Sequence, residues 1–289
     1  MYNKFYSFSE EPFEVTPNPR FLFLTPSHRE ALVSMIDGIK NRRGFISITG
    51  EVGTGKTTLI FTLLSSLDEK TKSAFIFHPT ITFKELLRAI LMGLDLRVIE
   101  ESEPALLYQF ATYLGQMDAD GIIAIIIDEA QILSEEVLRN LPMFSDLESR
   151  AVQIVLVGQP EFENRINSQG LRQMKQQIKI RCQIRRLTRE ESQNYIDHRL
   201  KLVGSSSSQV FTSKALSMIC SHAQGIPRII NILCDNAFLK GYPLSQKRID
   251  VDIIRRSIRD MESPFLRKPF LSTITPAFKK FRLFPPRQS

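Results

Sequence analysis

Residues 50–57 read Gly50-Glu51-Val52-Gly53-Thr54-Gly55-Lys56-Thr57 and fill every position of the phosphate-loop pattern G-x-x-x-x-G-K-[ST]. No other stretch constrains the fold as tightly, because the loop works only where a strand ends and a helix begins. Phe45 to Thr49 reads as a short buried strand and Thr58 to Leu64 as the first turns of a helix. The glycines let the backbone curl so that several amides point at one place, and the helix adds its positive end there. That place fits a triphosphate. Lys56 is expected to reach the β and γ phosphates and Thr57 to ligate Mg²⁺, while the amides of Gly53, Thr54, Gly55, Lys56, Thr57 and Thr58 hold the α and β groups.

Ile122 to Ile127, followed by Asp128-Glu129, is the second informative stretch. An unbroken β-branched run suits a strand covered on both faces, which predicts a central place in a parallel sheet. Its two carboxylates then emerge at the carboxyl end of the strand, where open α/β sheets place ligands. Downstream of a phosphate loop the pair reads as a Walker B motif, Asp128 holding Mg²⁺ and Glu129 polarising the attacking water. Val152 to Gly158 is a further apolar strand, and Gln159 stands just past its end, where it can hydrogen-bond that water and report the γ-phosphate.

The rest of the α/β pattern follows in order. Strands are predicted over Ala74–Phe77 and Ile178–Ile184, and helices over Ser27–Asn41 (capped by Ser27), Thr82–Met92, Pro104–Met117 and Ser134–Glu148. One further helix, within 163–177, carries Arg165, Arg172 and Lys175, each of which reads as a solvated surface charge or as a cation that completes a neighbouring subunit's site. From Thr188 the pattern turns helical only, with helices over about 188–202, 213–222, 227–239 and 251–261. Gly225-Ile226-Pro227-Arg228 opens the third of these with Pro in its first turn and lets Arg228 point back toward phosphates.

The implied organisation is an extended arm over 1–26, an α/β nucleotide-binding domain over 27–187, a small all-α lid over 188–262 and a tail over 263–289. The arm's Phe5, Phe8, Phe13, Phe21 and Phe23 need burial, and the nucleotide-binding core, near the adenine, is the expected place. The net charge of +7 belongs to the tail, whose six basic residues face no acidic one; the preceding residues hold 32 basic and 31 acidic side chains. Its interleaved Phe278-Lys279-Lys280-Phe281-Arg282-Leu283-Phe284 suits an anionic membrane surface, a nucleic-acid backbone or an acidic partner, and the segment is expected to be disordered in isolation.

The longest apolar run has six residues, against about 20 for a membrane-spanning helix. No signal-peptide pattern opens the chain, so a cytoplasmic protein is expected, peripheral at the inner membrane if the tail meets lipid. Cys182, Cys220 and Cys234 sit at no metal-ligand spacing and read as buried thiols of a reducing compartment.

The loop, Asp128-Glu129, Gln159 and Gly225-Ile226-Pro227-Arg228, in this order and spacing, resemble Walker A, Walker B, sensor 1 and sensor 2 of an AAA+ ATPase. More narrowly the chain resembles the ExeA/GspA-type (general secretion pathway protein A) ATPases. The residues that carry this are Tyr6-Ser7-Phe8-Ser9-Glu10-Glu11-Pro12-Phe13, Pro17-Asn18-Pro19-Arg20-Phe21, Pro26-Ser27-His28-Arg29-Glu30-Ala31-Leu32, Asp128-Glu129-Ala130-Gln131 and Leu156-Val157-Gly158-Gln159-Pro160-Glu161. The resemblance implies a five-stranded parallel sheet sandwiched by helices, an ATP- and Mg²⁺-dependent homo-oligomer, and a protein partner in a secretion or envelope machine. Two departures stand out. Gln176-Gln177-Ile178 replaces the family's Gln-Arg-Ile, leaving Arg172 or Arg181 to act on a neighbouring subunit's site. The membrane helix and peptidoglycan-binding domain of longer members do not follow. Three alternatives stay open: a DNA-acting regulator of the transposition-helper type, which shares the layout; a helicase, which the all-helical second half disfavours; and a non-hydrolysing switch.

Overall fold

The structure is a computed structural model that describes residues 2–77, 79–146 and 151–262. The chain divides into two compact units, Leu24–Arg185 and, separately, Met1–Phe23 with the chain from Arg186 onward.

The first unit is built on a five-stranded parallel sheet in the order β2-β3-β4-β1-β5, with β1 Phe45–Gly50, β2 Thr71–Ile76, β3 Ile122–Ile127, β4 Val152–Gly158 and β5 Ile178–Ile184. The three inner strands are buried at every residue, which is why each reads as a nearly unbroken apolar run. The edge strands β2 and β5 alternate instead. Helices cover the sheet, and one core gathers Ile123, Ile125 and Ile127 of β3 with Leu86, Leu87 and Ile90 of helix Phe83–Gly93 and Phe110 of helix Glu103–Gly115.

Parallel register brings the carboxyl ends of the inner strands to one sheet edge: Thr49 pairs with Gly158, and Ile127 with Leu156. Gly50, Asp128 and Gln159 therefore emerge side by side.

Several sequence expectations need correction. The second strand starts at Thr71, three residues before its apolar part, because an edge strand tolerates the polar Thr71-Lys72-Ser73 start. The first long helix is capped by Thr25, not Ser27; Thr25 Oγ1 accepts the His28 amide at 3.4 Å, and Pro26 occupies the first turn, where its fixed φ fits. The segment from Ser134 splits into helices Glu135–Asn140 and Met143–Asp146 around Pro142, which has no amide to continue the ladder. The segment carrying Arg165, Arg172 and Lys175 is likewise two helices, Pro160–Ile166 and Arg172–Gln177, with a 3₁₀ turn between them. Cys182 is half-buried where Cys220 and Cys234 are buried. The expectations for the 263–289 tail lie outside the described residues.

The second unit packs helices Arg189–Leu202, Ser213–Ala223, Pro227–Gly241 and Val251–Glu262 around their own core. Thr188 and Glu191 form the expected capping box, with bonds of 3.1 and 2.8 Å. The arm belongs to this core and not to the nucleotide-binding one. Tyr2, Tyr6, Phe8 and Phe13 surround Phe238, their ring centroids 4.8 to 6.0 Å from its own. Nor is the arm wholly extended, since Asn3–Tyr6 forms a helical turn.

Arg199, 5% exposed, ties the arm down without a carboxylate. Its guanidinium donates to the carbonyls of Pro12 at 2.5 Å and Glu14 at 3.2 Å and to the Tyr195 hydroxyl at 2.9 Å, and it lies 4.6 Å over the Phe21 ring. Arg199→Met keeps the apolar stem but strands two carbonyls. It is expected to lower the urea midpoint by an amount equivalent to about 3 kcal/mol and to open residues 2–23 to proteolysis. An unchanged midpoint would deny the clamp its role.

Candidate functional site

β1 ends at Gly50, and helix Lys56–Ser66 begins six residues later, so the loop between them is short and curled. Gly55, the residue before that helix, sits at φ +100°, a left-handed conformation that side chains disfavour. A Cβ there would also stand 3.2 Å from His28 Nε2.

His28 lies beneath the loop, 3% exposed. Its Nε2 is 2.8 Å from the Thr54 carbonyl and its Nδ1 2.7 Å from Thr25 Oγ1. A carbonyl only accepts, so Nε2 carries the proton and Nδ1 accepts from the Thr25 hydroxyl. The cap of helix Pro26–Lys40 thus fixes the ring that supports the loop.

Lys56 is 6% exposed, and its ammonium donates to the carbonyls of Gly50 at 2.7 Å and Glu51 at 2.9 Å. Burial pulls its pKa below the usual lysine value, with the charges of Glu129 and Asp128 opposing. Thr54 Oγ1 closes the loop by donating to Glu51 O at 2.8 Å, and Val52 stands exposed at the tip.

Thr57 Oγ1 donates to Asp128 Oδ2 at 2.8 Å. Asp128 is fully buried, and its other oxygen accepts the Glu129 amide at 2.9 Å. Burial raises its pKa to about 6, against the lowering effect of the Thr57 bond. Glu129 itself is in the left-handed region at φ +57°. Its Oε2 receives Gln131 Nε2 at 2.5 Å and Gln159 Nε2 at 3.2 Å, while Gln131 Oε1 accepts the Gln159 amide at 3.0 Å.

The structure therefore gathers Lys56, Thr57, Asp128, Glu129 and Gln159 at one sheet edge. Arg172 and Arg181 are elsewhere in the unit: Arg172 is exposed on its short helix, and Arg181, on β5, pairs with Glu163. Arg228 belongs to the helical unit, in the first turn of Pro227–Gly241. Arg165, considered with them as a surface charge, instead donates to the carbonyls of Gln131 and, at 2.8 Å, Leu133.

Two residues of this site were not assigned a role from sequence: His28 and Gln131. His28 and Gln131 stood inside the family-like segments, but nothing in their spacing marks a buried imidazole under a loop or an amide beside a carboxylate.

A family model described as an AAA domain matches residues 39–166. General secretion pathway protein A of Aeromonas hydrophila is 35% identical over 254 residues, 86% of this chain and 46% of that protein, so the chain spans about half the relative's length. Among solved structures, Cdc6p of Pyrobaculum aerophilum superimposes with a TM-score of 0.66 at 16% identity, covering 89% of this chain and 70% of that one. The Holliday junction branch migration motor RuvB of Thermotoga maritima gives 0.57 at 19% identity, covering 86% and 73%. At those identities the likeness is one of fold. Sheet order, phosphate loop and AAA-domain match together define an AAA+ P-loop protein. Within that class the chain belongs to the general secretion pathway protein A (ExeA/GspA) type of ATPase.

Removing the imidazole tests the loop's support. His28→Ala strands the Thr54 carbonyl, so amide exchange over 53–57 should accelerate and stability fall by about 1–3 kcal/mol. Exchange at the parent's rate would show that the loop holds its shape without His28.

Proposed function

We propose that the chain is a Mg²⁺-dependent ATPase that works as a homo-oligomer in assembly of a secretion or envelope machine. The observation that carries the hydrolytic part is the Thr57–Asp128 contact of 2.8 Å at the mouth of the phosphate loop, with Glu129 adjacent. A hydroxyl and a buried carboxylate are hard oxygen donors of the kind Mg²⁺ takes, and the pair suits it better than a softer metal. When bound, Mg²⁺ supplies charge neutralisation on the β and γ phosphates.

The chain's own groups do the rest. The amides of residues 53–58 bind the α and β phosphates of ATP, and Gly50, Glu51 and Val52 shape the loop around them. Lys56 exchanges its carbonyl partners for phosphate oxygens. The oxygen of an attacking water bonds to the γ-phosphorus, its proton passes to Glu129, the bond to the β–γ bridging oxygen breaks, and ADP and phosphate leave. Gln159 orients that water, and Arg228 adds positive charge. Of the two arginines proposed to act on a neighbouring subunit, Arg172 is the better available, because Arg181 is engaged with Glu163 and the Lys175 carbonyl.

The secretion role rests on the name of the Aeromonas hydrophila relative. No helix among the described residues is long and apolar enough to cross a membrane. A cytoplasmic site of action, with the basic tail at the inner membrane surface, is part of the proposal.

Nucleotide titration and phosphate release check it together. Lys56→Ala should weaken ATP binding by about 10- to 100-fold, the worth of one charge-assisted hydrogen bond. Glu129→Gln should bind normally and lose turnover by about 10²- to 10⁴-fold. Full turnover in Glu129→Gln would remove that residue from the chemistry. Turnover that rises with protein concentration and falls in Arg172→Ala supports the oligomer; stimulation by duplex DNA that survives removal of residues 263–289 would move the protein to a DNA-acting role.

A further inference from the structure

Glu129 occupies a backbone conformation that non-glycine residues adopt only where their surroundings hold them. The group best placed to hold its carboxylate is Gln131, two residues on. Gln131 is itself fixed at three points. Its Nε2 donates to Glu129 Oε2 at 2.5 Å, its Oε1 accepts the Gln159 backbone amide at 3.0 Å, and its carbonyl accepts from Arg165. Arg165 spans the same turn by also donating to Leu133 O at 2.8 Å. The last residue of β4 leaves space for this seat: a Cβ on Gly158 would stand 3.0 Å from Gln131 Oε1 and 3.2 Å from Phe162 Cβ.

We infer that Gln131 is a positioning residue for Glu129, coupling the carboxylate to the end of β4. The inference rests on the hydrolytic role proposed above and names the device that orients its base. Two uncharged amides, those of Gln131 and Gln159, converge on Oε2 and fix the plane of the carboxylate. Oε1 is then the oxygen that takes the water's proton. Gln159 contributes both to Glu129 directly and to Gln131 through its backbone, so a turn of the Gln159 side chain toward a γ-phosphate removes one of the two donors on Oε2. Gln131 keeps the other in place. Its task is to stop the carboxylate from rotating away at the moment Gln159 lets go.

Gln131→Met preserves length and volume but removes both amide functions. With the carboxylate unaligned, kcat should fall by about a hundredfold, the effect of misplacing a reacting group by roughly an ångström, while the affinity for ATP stays near the parent's and the melting temperature falls only by what stranding the Gln159 backbone amide costs. Gln131→Glu keeps an acceptor for the Gln159 amide but sets a like charge against Glu129, and should lose at least as much. Gly158→Ala displaces the Gln131 side chain without altering it and should reduce kcat in the same direction. A merely structural glutamine would instead lower nucleotide affinity along with kcat, and that pattern, or a kcat within about twofold of the parent, would overturn the proposal.

A second readout does not need turnover. In nitrogen-15 spectra the Gln131 side-chain amide, assigned by its disappearance in Gln131→Met, should shift in Glu129→Leu. An unmoved resonance would overturn the inference. If the parent turns over no faster than Glu129→Gln, the hydrolytic reading fails on its own, and the resonance still decides whether Gln131 holds Glu129.

Discussion

A hydroxyl on the first turn of one helix meets a carboxylate at the end of a strand that is not its own helix's neighbour. β1 leads into the phosphate loop and β3 into Asp128, yet β4 lies between them, so their ends stand about 10 Å apart at the usual strand spacing. Thr57 reaches Asp128 across that gap because the loop throws the helix start over the sheet edge and because all the strands are parallel, which puts every carboxyl end on one side. The rest of the unit serves that crossing. Apolar inner strands bury the sheet on both faces, His28 supports the loop from below, and glycine at the end of β4 leaves room for the Gln131 amide between the two active ends. An antiparallel partner anywhere among the inner strands would send one of the three ends to the far side.

How much of this was written legibly in the sequence depended on whether the determining contacts were local. β1, β3 and β4 could be read directly, since a strand covered on both faces must be apolar at consecutive positions. β2 was read short because an edge strand needs apolar residues on one face only, and Thr71-Lys72-Ser73 looks like a loop. Pro142 was a legible break that periodicity on either side concealed. The arm shows the limit: five phenylalanines announce that it must be buried, but burial is non-directional, and nothing in residues 1–26 says which core will take it. That information sits in Phe238 and Arg199, two hundred residues away. Within the site, Lys56, Thr57 and Asp128 were legible because phosphate and metal chemistry dictate residue types at fixed spacing. Gln131, His28 and Arg165 act through side chains and carbonyls that only the fold brings beside them, and such second contacts impose no spacing that a sequence reader could recognise.

Two buried charges in this chain are treated in opposite ways, and the contrast separates structure from chemistry. Arg199 is surrounded by acceptors and rings, with carbonyls at 2.5 and 3.2 Å and a hydroxyl at 2.9 Å, so its charge is spread over uncharged partners. Such a group has nothing left to bind. Asp128, fully buried, receives a single hydrogen bond on each carboxylate oxygen, one from Thr57 and one from the adjacent amide. A carboxylate has about four acceptor positions, so these two bonds do not saturate it, and burial pushes its pKa up to about 6 against their lowering effect. A fold selected only for stability has no reason to keep an incompletely satisfied carboxylate at the end of an inner strand, because an isosteric apolar residue would cost less. Retaining it beside a buried lysine, a hydroxyl and a second carboxylate held by two amides is what a site prepared for an incoming cation and anion together requires, and it is why the nucleotide reading attaches to this edge of the sheet.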